Sequence, residues 1–383
     1  IYPNKDLAYN ETNTLNTLNL AFYPNERGPY NLDADGMNPD GTLTNPKKRW
    51  GGMMRKLEMT DFEHANIEYV EFWMMDPFIY NRETTTGGDL YLNLGDVSED
   101  ILKDGKKFFE NGLPVNGDLS QVDTNVWGKT LRQQSTVYAF DNTSGARRQQ
   151  DVGFNGLSST EEKKFPTYRN YVERLRTKVS AETWMKWERD PFSPINDPAG
   201  DDYHYFRGSD YDRDEVDILT RYKHYNGTEG NSTASEDSPE AYDISSKTIP
   251  DVEDLNGDNT MSDNERYYEY KISIRPKDMV VGSNHIINER KALVRLPNGD
   301  TTTVTWYQFK VPVKEYLRRV GSIQGYKSIR FMRLYMTDFS ETTILRLGTF
   351  ELVRGDWRTY LQSLANPGAP PSINGTLDVT SVN

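Results

Sequence analysis

The sequence NIEYVEFWMMDPF (Asn66–Phe78) returns far along the chain as SIRFMRLYMTDF (Ser328–Phe339). When the two stretches are aligned without gaps, identical or similar residues fall at the same places: Ile67 with Ile329, Tyr69 with Phe331, Trp73 with Tyr335, Met74 with Met336 and Asp76 with Asp338. Both stretches are rich in β-branched and aromatic residues, which favour strands. The repeat predicts a duplicated β unit, an architecture typical of proteins that bind or scaffold.

A second apolar run follows each copy, at Asp89–Val97 and at Ile344–Val353. Strands that are apolar on both faces belong inside a sandwich, between two layers. The fold is therefore predicted to be mainly β with a helical insert, and to contain two jelly-roll or galactose-binding-like β-sandwich modules. The predicted modules span residues 1–125 and 236–365, a helical and loop-rich insert spans 126–235, and a linker or tail rich in Pro and Gly spans 366–383.

Two stretches have the composition of helices. Ser159–Trp187 is rich in helix formers and predicts one or two helices broken near Pro166, because proline disrupts a helix interior. Ser98–Lys107 combines a serine start with a glycine stop and predicts a short helix.

The two copies of the repeat differ in charge. Glu68 and Glu71 in the first copy correspond to Arg330 and Arg333 in the second. Two interpretations are open. In the first, the four positions are solvated and their residues diverged independently. In the second, the two modules pack face to face and pair these charges. Exposed pairs of this kind contribute only about 0–1 kcal/mol, so they would fix register more than stability.

Composition excludes several classes of function. The formal net charge is −13, which argues against nucleic acid as a partner, since phosphate binding needs a stripe of Lys and Arg. The chain contains no Cys, which excludes disulfides, thiolate metal sites and cysteine nucleophiles. No run approaches the ~18 apolar residues of a membrane-spanning helix. The segment itself is therefore predicted not to span a membrane.

Asp254–Glu265 (DLNGDNTMSDNE) carries oxygen-bearing side chains at the spacing of a twelve-residue calcium loop. The candidate calcium ligands are Asp254, Asn256, Asp258, Thr260 and Glu265. Asn259 stands at position six, where glycine is usual, and Asn is the side chain that best tolerates a positive φ. No helix is predicted to enter the loop. The segment is either a calcium loop that stiffens the entry to the second module or a series of Asx turns without a metal.

Catalytic motifs of the common hydrolase, metalloprotease and nucleotide-binding types are absent from the sequence. His204 lies within an acidic, aromatic segment at Asp201–Asp217 and His224 follows it, and a metal or glycosidase-like site can be imagined there. A polar loop with Tyr and Arg packing is the better interpretation, because among 58 acidic residues some pair always has plausible spacing. The chain is predicted not to be an enzyme.

Aromatic residues in and before this segment are candidates for stacking on a glycan or contacting a partner protein. They are Trp184, Trp187, Tyr203, Tyr205 and Tyr211. The alternative is that they pack within the core or between helices, as most large aromatic side chains do.

Several long phrases resemble one family, the SprA/Sov proteins, which are the very large outer-membrane translocons of the type IX secretion system in the Bacteroidota and are also linked to gliding motility. The phrases are FYPNERGPYN (Phe22–Asn31), NPKKRWGGMMR (Asn45–Arg55), DFEHANIEYVEFWMMDPF (Asp61–Phe78), NLGDVSEDILKDGKKFFENGLP (Asn93–Pro114), DDYHYFRGSDYD (Asp201–Asp212) and RYKHYNGTEGNS (Arg221–Ser232). The resemblance extends through about Pro367 and covers most of the chain.

This resemblance implies a non-enzymatic domain within a much longer chain whose other parts form a giant transmembrane β-barrel. The implied location is the cell outer membrane, in a periplasmic or extracellular soluble region, with the segment forming a cap or mouth domain of the barrel. The implied partners are the rest of the same chain, a smaller barrel protein, a periplasmic plug and the secreted substrate proteins. The alternative from another class is a calcium-stabilised carbohydrate-binding module at the cell surface.

Overall fold

Twelve strands and six α-helices lie within the residues that the structure, a computed structural model, describes: 1, 14–106, 113–133, 140–141, 143, 145–225, 227–229, 252–296 and 298–355. The strands are β1 (Thr17–Phe22), β2 (Trp50–Lys56), β3 (Ile67–Met75), β4 (Gly88–Asp96), β5 (Val122–Thr124), β6 (Lys129–Leu131), β7 (Arg266–Ile274), β8 (Ile286–Arg295), β9 (Thr301–Pro312), β10 (Arg318–Val320), β11 (Phe331–Thr337) and β12 (Thr343–Arg354). The helices are α1 (Arg147–Gln150), α2 (Ser159–Glu162), α3 (Pro166–Arg176), α4 (Ala181–Trp187), α5 (Ser209–Arg213) and α6 (Ile218–Lys223). The predicted linker at 366–383 lies outside the described residues.

Two five-stranded antiparallel sheets form a sandwich, and β5 and β6 form a separate hairpin. The strand order is β1-β12-β3-β9-β8 in the first sheet and β10-β7-β4-β11-β2 in the second. The prediction of a mainly β chain with a helical insert is confirmed. Each sheet takes strands from both predicted modules, however, so the two modules share one sandwich and do not form one each.

The two copies of the repeat occupy equivalent, internal positions in opposite sheets. Strand β3 lies between β12 and β9 in the first sheet, and β11 lies between β4 and β2 in the second. An internal strand has a partner on both edges, which suits sequences dominated by β-branched and aromatic residues. The repeat therefore marks the interior of the two layers.

One core fills the space between the sheets. Phe72 and Phe309 from the first sheet and Leu92 and Leu334 from the second belong to the same buried cluster. Phe72 stacks on Phe309, with ring centroids 4.9 Å apart, and on Phe350, at 5.2 Å, so an aromatic row crosses β9, β3 and β12. Each such side chain contributes about 1.5–3 kcal/mol on burial. The core thus binds the two halves of the chain into one folding unit.

The hypothesis that glutamates of the first repeat pair with arginines of the second is wrong. The Arg330 Nε lies 2.7 Å from an Asp96 carboxylate oxygen, and the Arg333 Nη1 lies 3.1 Å from a Glu265 oxygen. Glu71 instead accepts a hydrogen bond from Gln308 on the neighbouring strand β9. Glu71 and Arg333 alternate with core residues on opposite sheets, so they face away from each other across the sandwich.

The helical insert follows its sequence signals. The stretch predicted as one or two helices contains α2, α3 and α4, and α3 begins at Pro166, where a missing backbone N–H costs nothing. Helix α4 begins after Ser180, whose hydroxyl accepts a hydrogen bond from the Thr183 backbone N–H at 3.2 Å. Helix α3 then packs through Tyr171 and Leu175 against the loop around Met37.

The helix predicted at Ser98–Lys107 is wrong for its described part, which is irregular through residue 106. The cause is a tertiary contact that outweighs the local helix signal. The buried carboxylate of Glu99 accepts hydrogen bonds from the backbone N–H groups of Leu255 (2.9 Å) and Ser262 (3.1 Å). The Glu99 backbone N–H also donates to the Ser262 carbonyl at 2.7 Å, which ties this segment to a distant loop.

Candidate functional site

Five carboxylates from three separate segments meet in the helical insert. Glu162 ends α2, Asp197, Asp201 and Asp202 follow α4, and Glu229 lies on a short extended stretch that pairs with Asp202. Carboxylate oxygens of Glu162, Asp197 and Asp201 lie within 4.8 Å of one another, and so do those of Asp201, Asp202 and Glu229. We call these five residues the acidic cluster. Asp201 belongs to both groups and is its centre.

Backbone and side-chain donors hold the inner carboxylates in place. The Asn155 side-chain amide donates to Glu162 at 2.7 Å, and the Ala199 backbone N–H donates to the same carboxylate at 2.9 Å. Asp197 accepts hydrogen bonds from the Gly200 and Asp201 backbone N–H groups at 2.7 and 3.1 Å. Loop residues 197–202 therefore wrap around the Asp197 side chain, and this turn delivers Asp201 to the interior.

Tyr30 and Ser159 complete the shell around the outer members of the cluster. The Tyr30 hydroxyl donates to Asp201 Oδ2 at 2.6 Å and accepts from the Phe154 backbone N–H at 2.8 Å. The Ser159 hydroxyl donates to Asp202 Oδ1 at 2.7 Å, and the Ser159 backbone N–H reaches Glu229 Oε2 at 3.1 Å. Tyr30 comes from the loop after β1, so the predicted first module contributes to a site within the insert.

The electrostatics of the acidic cluster are unfavourable as the residues stand. Burial, followed by repulsion from Asp202, raises the pKa of Asp197 to about 6. Burial is also the main reason that the pKa values of Glu162, Asp201 and Glu229 are raised, with mutual repulsion adding to it. Among the described residues, no Lys or Arg forms an ion pair with any of the five carboxylates. Arg27 is the nearby cation, and its guanidinium donates to the backbone carbonyls of Asp197 and Pro198.

An open cleft of about 550 Å³ lies beside the acidic cluster and includes Asp202 and Glu229 in its wall. Its other side is aromatic. The His204 ring stacks on Tyr211 with centroids 4.1 Å apart, and Phe192 packs edge-on to His204 at 6.2 Å. The cleft therefore combines carboxylates with stacked rings, a combination suited to a cation or a polar, ring-containing ligand.

The structure separates the five aromatic residues that the sequence proposes for ligand contact. Tyr203 and Tyr211 both line the cleft, and Tyr205 packs against Phe206 with centroids 5.1 Å apart. The two tryptophans lie on α4 and do not line the cleft. The Arg176 guanidinium stacks over Trp184, whose indole N–H donates to Glu188, and Trp187 packs against the hydrophobic cluster around Leu175.

The calcium-type loop is organised by hydrogen bonds within itself and by residues outside it. Asp254 accepts from the backbone N–H groups of Gly257 (2.8 Å) and Asn259 (2.9 Å), and Asn259 has φ 63°, as its place at position six predicts. Asp258 accepts from the Thr260 backbone N–H, and Asn256 accepts from that of Asp258. Glu265, the proposed closing ligand, is bound by Arg333. Calcium binding here stays a prediction.

Sequence reasoning missed Glu162, Asp197 and Glu229, and it interpreted Asp201–Asp217 as a polar loop. The available signal is the spacing of Asp197, Asp201 and Asp202, which places three carboxylates in a six-residue span that contains Pro and Gly. Such a turn can bring its carboxylate side chains close together. Glu162 and Glu229 join only through tertiary structure, so no local pattern could include them.

The comparison with protein families decides which group the chain belongs to. A family model, SprA_N, described as a motility related/secretion protein, matches residues 170–383, which are 214 of the 383 residues. The chain belongs to the SprA_N family. The resemblance to SprA/Sov proteins is thereby confirmed, and with it a role related to motility and secretion. No curated protein matches the chain.

The SprA_N match covers β7 through β12 and α4 through α6, together with most of α3. Strands β1 to β4 precede the matched region, yet they pair directly with strands inside it, as β4 does with β7. Within the described residues, no helix is both long enough and apolar enough to cross a membrane.

Proposed function

We propose that this chain is a non-enzymatic structural domain of a giant outer-membrane protein translocon of the type IX secretion and gliding-motility type, placed as a cap or mouth domain of its barrel. Membership of the SprA_N family carries the proposal. The description of that family names secretion and motility and no catalytic activity. In this role the domain acts through its shape and its contacts with the remainder of the same chain, the barrel and plug partner proteins, and the secreted substrates.

The surface of the sandwich offers places for such contacts. Strands β2 and β8 are each the last strand of a sheet and have a strand partner on one side only among the described residues. Trp50 on β2 and Leu293 on β8 are 73% and 74% exposed. Unpaired strand edges with exposed apolar side chains are surfaces on which another chain can add a strand. We therefore place the main contacts with translocon partners along these two edges.

Site-specific crosslinking in cells that make the intact parent protein tests this role. A photo-reactive residue at Trp50 or Leu293 is expected to capture the barrel or plug partners, or another part of the same chain. The same probe at Ile218, which is 63% exposed on α6, is the control and is expected to capture much less. Normal secretion and motility after in-frame removal of residues 14–355 from the parent chain would contradict the proposal.

A second candidate function, a calcium-stabilised carbohydrate-binding module, is favoured by one observation. Tyr203 and Tyr211 line an open cleft together with carboxylates, and stacked aromatic rings with nearby polar groups are suited to sugars. A glycan array separates the two functions. Specific binding that Tyr211→Ala abolishes and Trp184→Ala preserves would favour the carbohydrate module, because Trp184 does not line the cleft. Absence of binding to any glycan would leave the translocon role as the better account.

A further inference from the structure

One oxygen atom at the centre of the acidic cluster has no partner. Asp201 is fully buried, and its Oδ2 accepts the Tyr30 hydroxyl hydrogen bond, but its Oδ1 has no hydrogen-bond partner among the described residues. A buried carboxylate oxygen that accepts no hydrogen bond destabilises the fold by the full free energy of its desolvation. One carboxylate oxygen of Asp201 lies within 4.8 Å of carboxylate oxygens of Asp202 and Glu229, and ionised carboxylates accept hydrogen bonds but cannot donate them.

We propose that the acidic cluster binds one calcium ion through Asp201, Asp202 and Glu229. This site is distinct from the calcium-type loop at Asp254–Glu265, and it goes beyond the proposed structural role in secretion. Glu162 and Asp197 lie behind it and keep their hydrogen bonds to Asn155, Ala199 and the 200–202 backbone. Their negative charge adds to the attraction for a dication without requiring them to be ligands.

The oxygens of this site suit calcium better than magnesium. The oxygens of Asp201, Asp202 and Glu229 lie within 4.8 Å of one another. Two oxygens on opposite sides of a calcium ion are about 4.6–5.2 Å apart, since each Ca–O distance is about 2.3–2.6 Å. The corresponding limit for magnesium is about 4.0–4.2 Å, and magnesium also demands a regular octahedron. One calcium ion can therefore bind all three carboxylates, and its tolerance of irregular geometry favours it over magnesium for ligands that come from separate segments.

Charge balance favours a dication at this site. The cluster carries five carboxylates, and none of them forms an ion pair with a described Lys or Arg residue. A calcium ion supplies two positive charges to this group of carboxylates.

The cleft supplies the route for the ion. Asp202 and Glu229 form part of its wall and are partly exposed, whereas Asp201 lies directly behind them. A hydrated ion can therefore reach the outer two carboxylates from solvent and exchange its waters for them one at a time. Water molecules from the cleft can complete the six to eight ligands that calcium typically has.

Calcium titration of the purified, EDTA-treated chain tests the proposal. Isothermal titration with calcium chloride is expected to give at least one bound ion per chain with a Kd of about 10⁻³ M or tighter, a second ion appearing only if the loop at Asp254–Glu265 also binds calcium, and magnesium chloride is expected to bind more weakly. Calcium is also expected to raise the melting temperature. Asp201→Asn and Glu229→Gln should each weaken binding at least about tenfold, because ligand charge sets affinity in such sites. Asp254→Asn, in the calcium-type loop, is the matched control and should leave this binding unchanged.

Two further features keep the test decisive. Without calcium, Asp201→Asn is expected to melt at a temperature no lower than that of the unaltered chain, because it removes charge repulsion at the centre of the cluster. Glu229 is partly exposed, so Glu229→Gln tests the site independently of the buried Asp201. Absence of calcium binding at millimolar concentration would overturn the proposal. So would calcium binding that Asp254→Asn removes and that Asp201→Asn and Glu229→Gln both preserve.

Discussion

Truncating Phe309 to alanine is expected to destabilise the whole sandwich. Phe309 is fully buried on β9 and stacks on Phe72 of β3 with ring centroids 4.9 Å apart and planes 8° from parallel. Phe→Ala changes in a core cost about 3–5 kcal/mol, which covers the lost transfer energy and the cavity that remains. The lost ring stacking, about 0.5–1.5 kcal/mol, falls within that range. With a urea m value of about 2–3 kcal/mol/M, the midpoint should fall by about 1–2.5 M.

Urea unfolding followed by tryptophan fluorescence and by far-UV circular dichroism measures this change. Because Phe309 belongs to the second predicted module and Phe72 to the first, both probes should report the same shifted transition of the sandwich. Leu293→Ala, at a 74% exposed position on β8, is the control and should change stability by no more than about 0.5 kcal/mol. A shift that affects one of two separate sandwich transitions, or a loss below about 1 kcal/mol, would refute the reasoning.

Three further predictions follow from individual contacts. Glu99→Ala should destabilise the chain by about 2–4 kcal/mol in urea unfolding, since it leaves buried backbone N–H groups of the 255–262 loop without an acceptor. Glu99→Gln keeps a side-chain oxygen and should destabilise the chain less. Equal losses of stability in the two variants would argue against the role of Glu99 as acceptor for this loop. Burial lowers the pKa of His224 to about 4. The contribution of the neutral ring to stability is therefore present above the pKa of the unfolded state, about 6.5, and is lost as pH falls from there towards 4. His224→Asn should flatten that part of the plot of stability against pH, and an unchanged plot would contradict this role of His224. Gly88→Ala would place a methyl group 2.4 Å from the buried Phe339 ring and should cost about 1–3 kcal/mol, while Gly28→Ala, with open space around it, should lower the melting temperature much less.

The strands themselves could be predicted from the sequence because their signals are local. Alternation and β-branched or aromatic enrichment mark Tyr268–Arg275 and Thr301–Val313, and both lie on strands, β7 and β9. The repeat also located two internal strands, β3 and β11. Their assignment to opposite sheets of one sandwich is a matter of long-range pairing between strands far apart in the chain, on which local patterning has no bearing.

Tertiary contacts decided the places where the sequence was misleading. Ser98–Lys107 has the composition of a helix. The hydrogen bonds that the Glu99 carboxylate accepts from the backbone of a distant loop outweigh this local preference. Arg333 was a plausible partner for Glu71 from the repeat alone, yet the two side chains leave opposite sheets in opposite directions, and Arg333 binds Glu265. In both cases the competing partner is contributed by a segment that pattern analysis treats separately.

The candidate site was predictable in part. Tyr203 and Tyr211 were proposed as contact residues and both line the cleft, because they lie in one compact turn-rich segment after α4. The acidic cluster needed Glu162 from α2 and Glu229 from beyond α6 to reach Asp201. A site assembled from three segments has no spacing motif, so only the fold could reveal it.

Disulfide formation in a double-cysteine variant tests the central claim, one sandwich built from both halves of the chain, most directly. Glu71 lies opposite Lys310 in the pairing of β3 with β9, and opposed antiparallel residues have Cα atoms about 4.5–5.5 Å apart, within the range that a disulfide spans. Because the natural chain has no Cys, Glu71→Cys/Lys310→Cys carries just two thiols. Under native oxidising conditions it should form an intramolecular disulfide, whereas Glu71→Cys/Arg333→Cys, on the outer faces of opposite sheets, should keep both thiols free. Free thiols in the first variant together with a disulfide in the second would contradict the account.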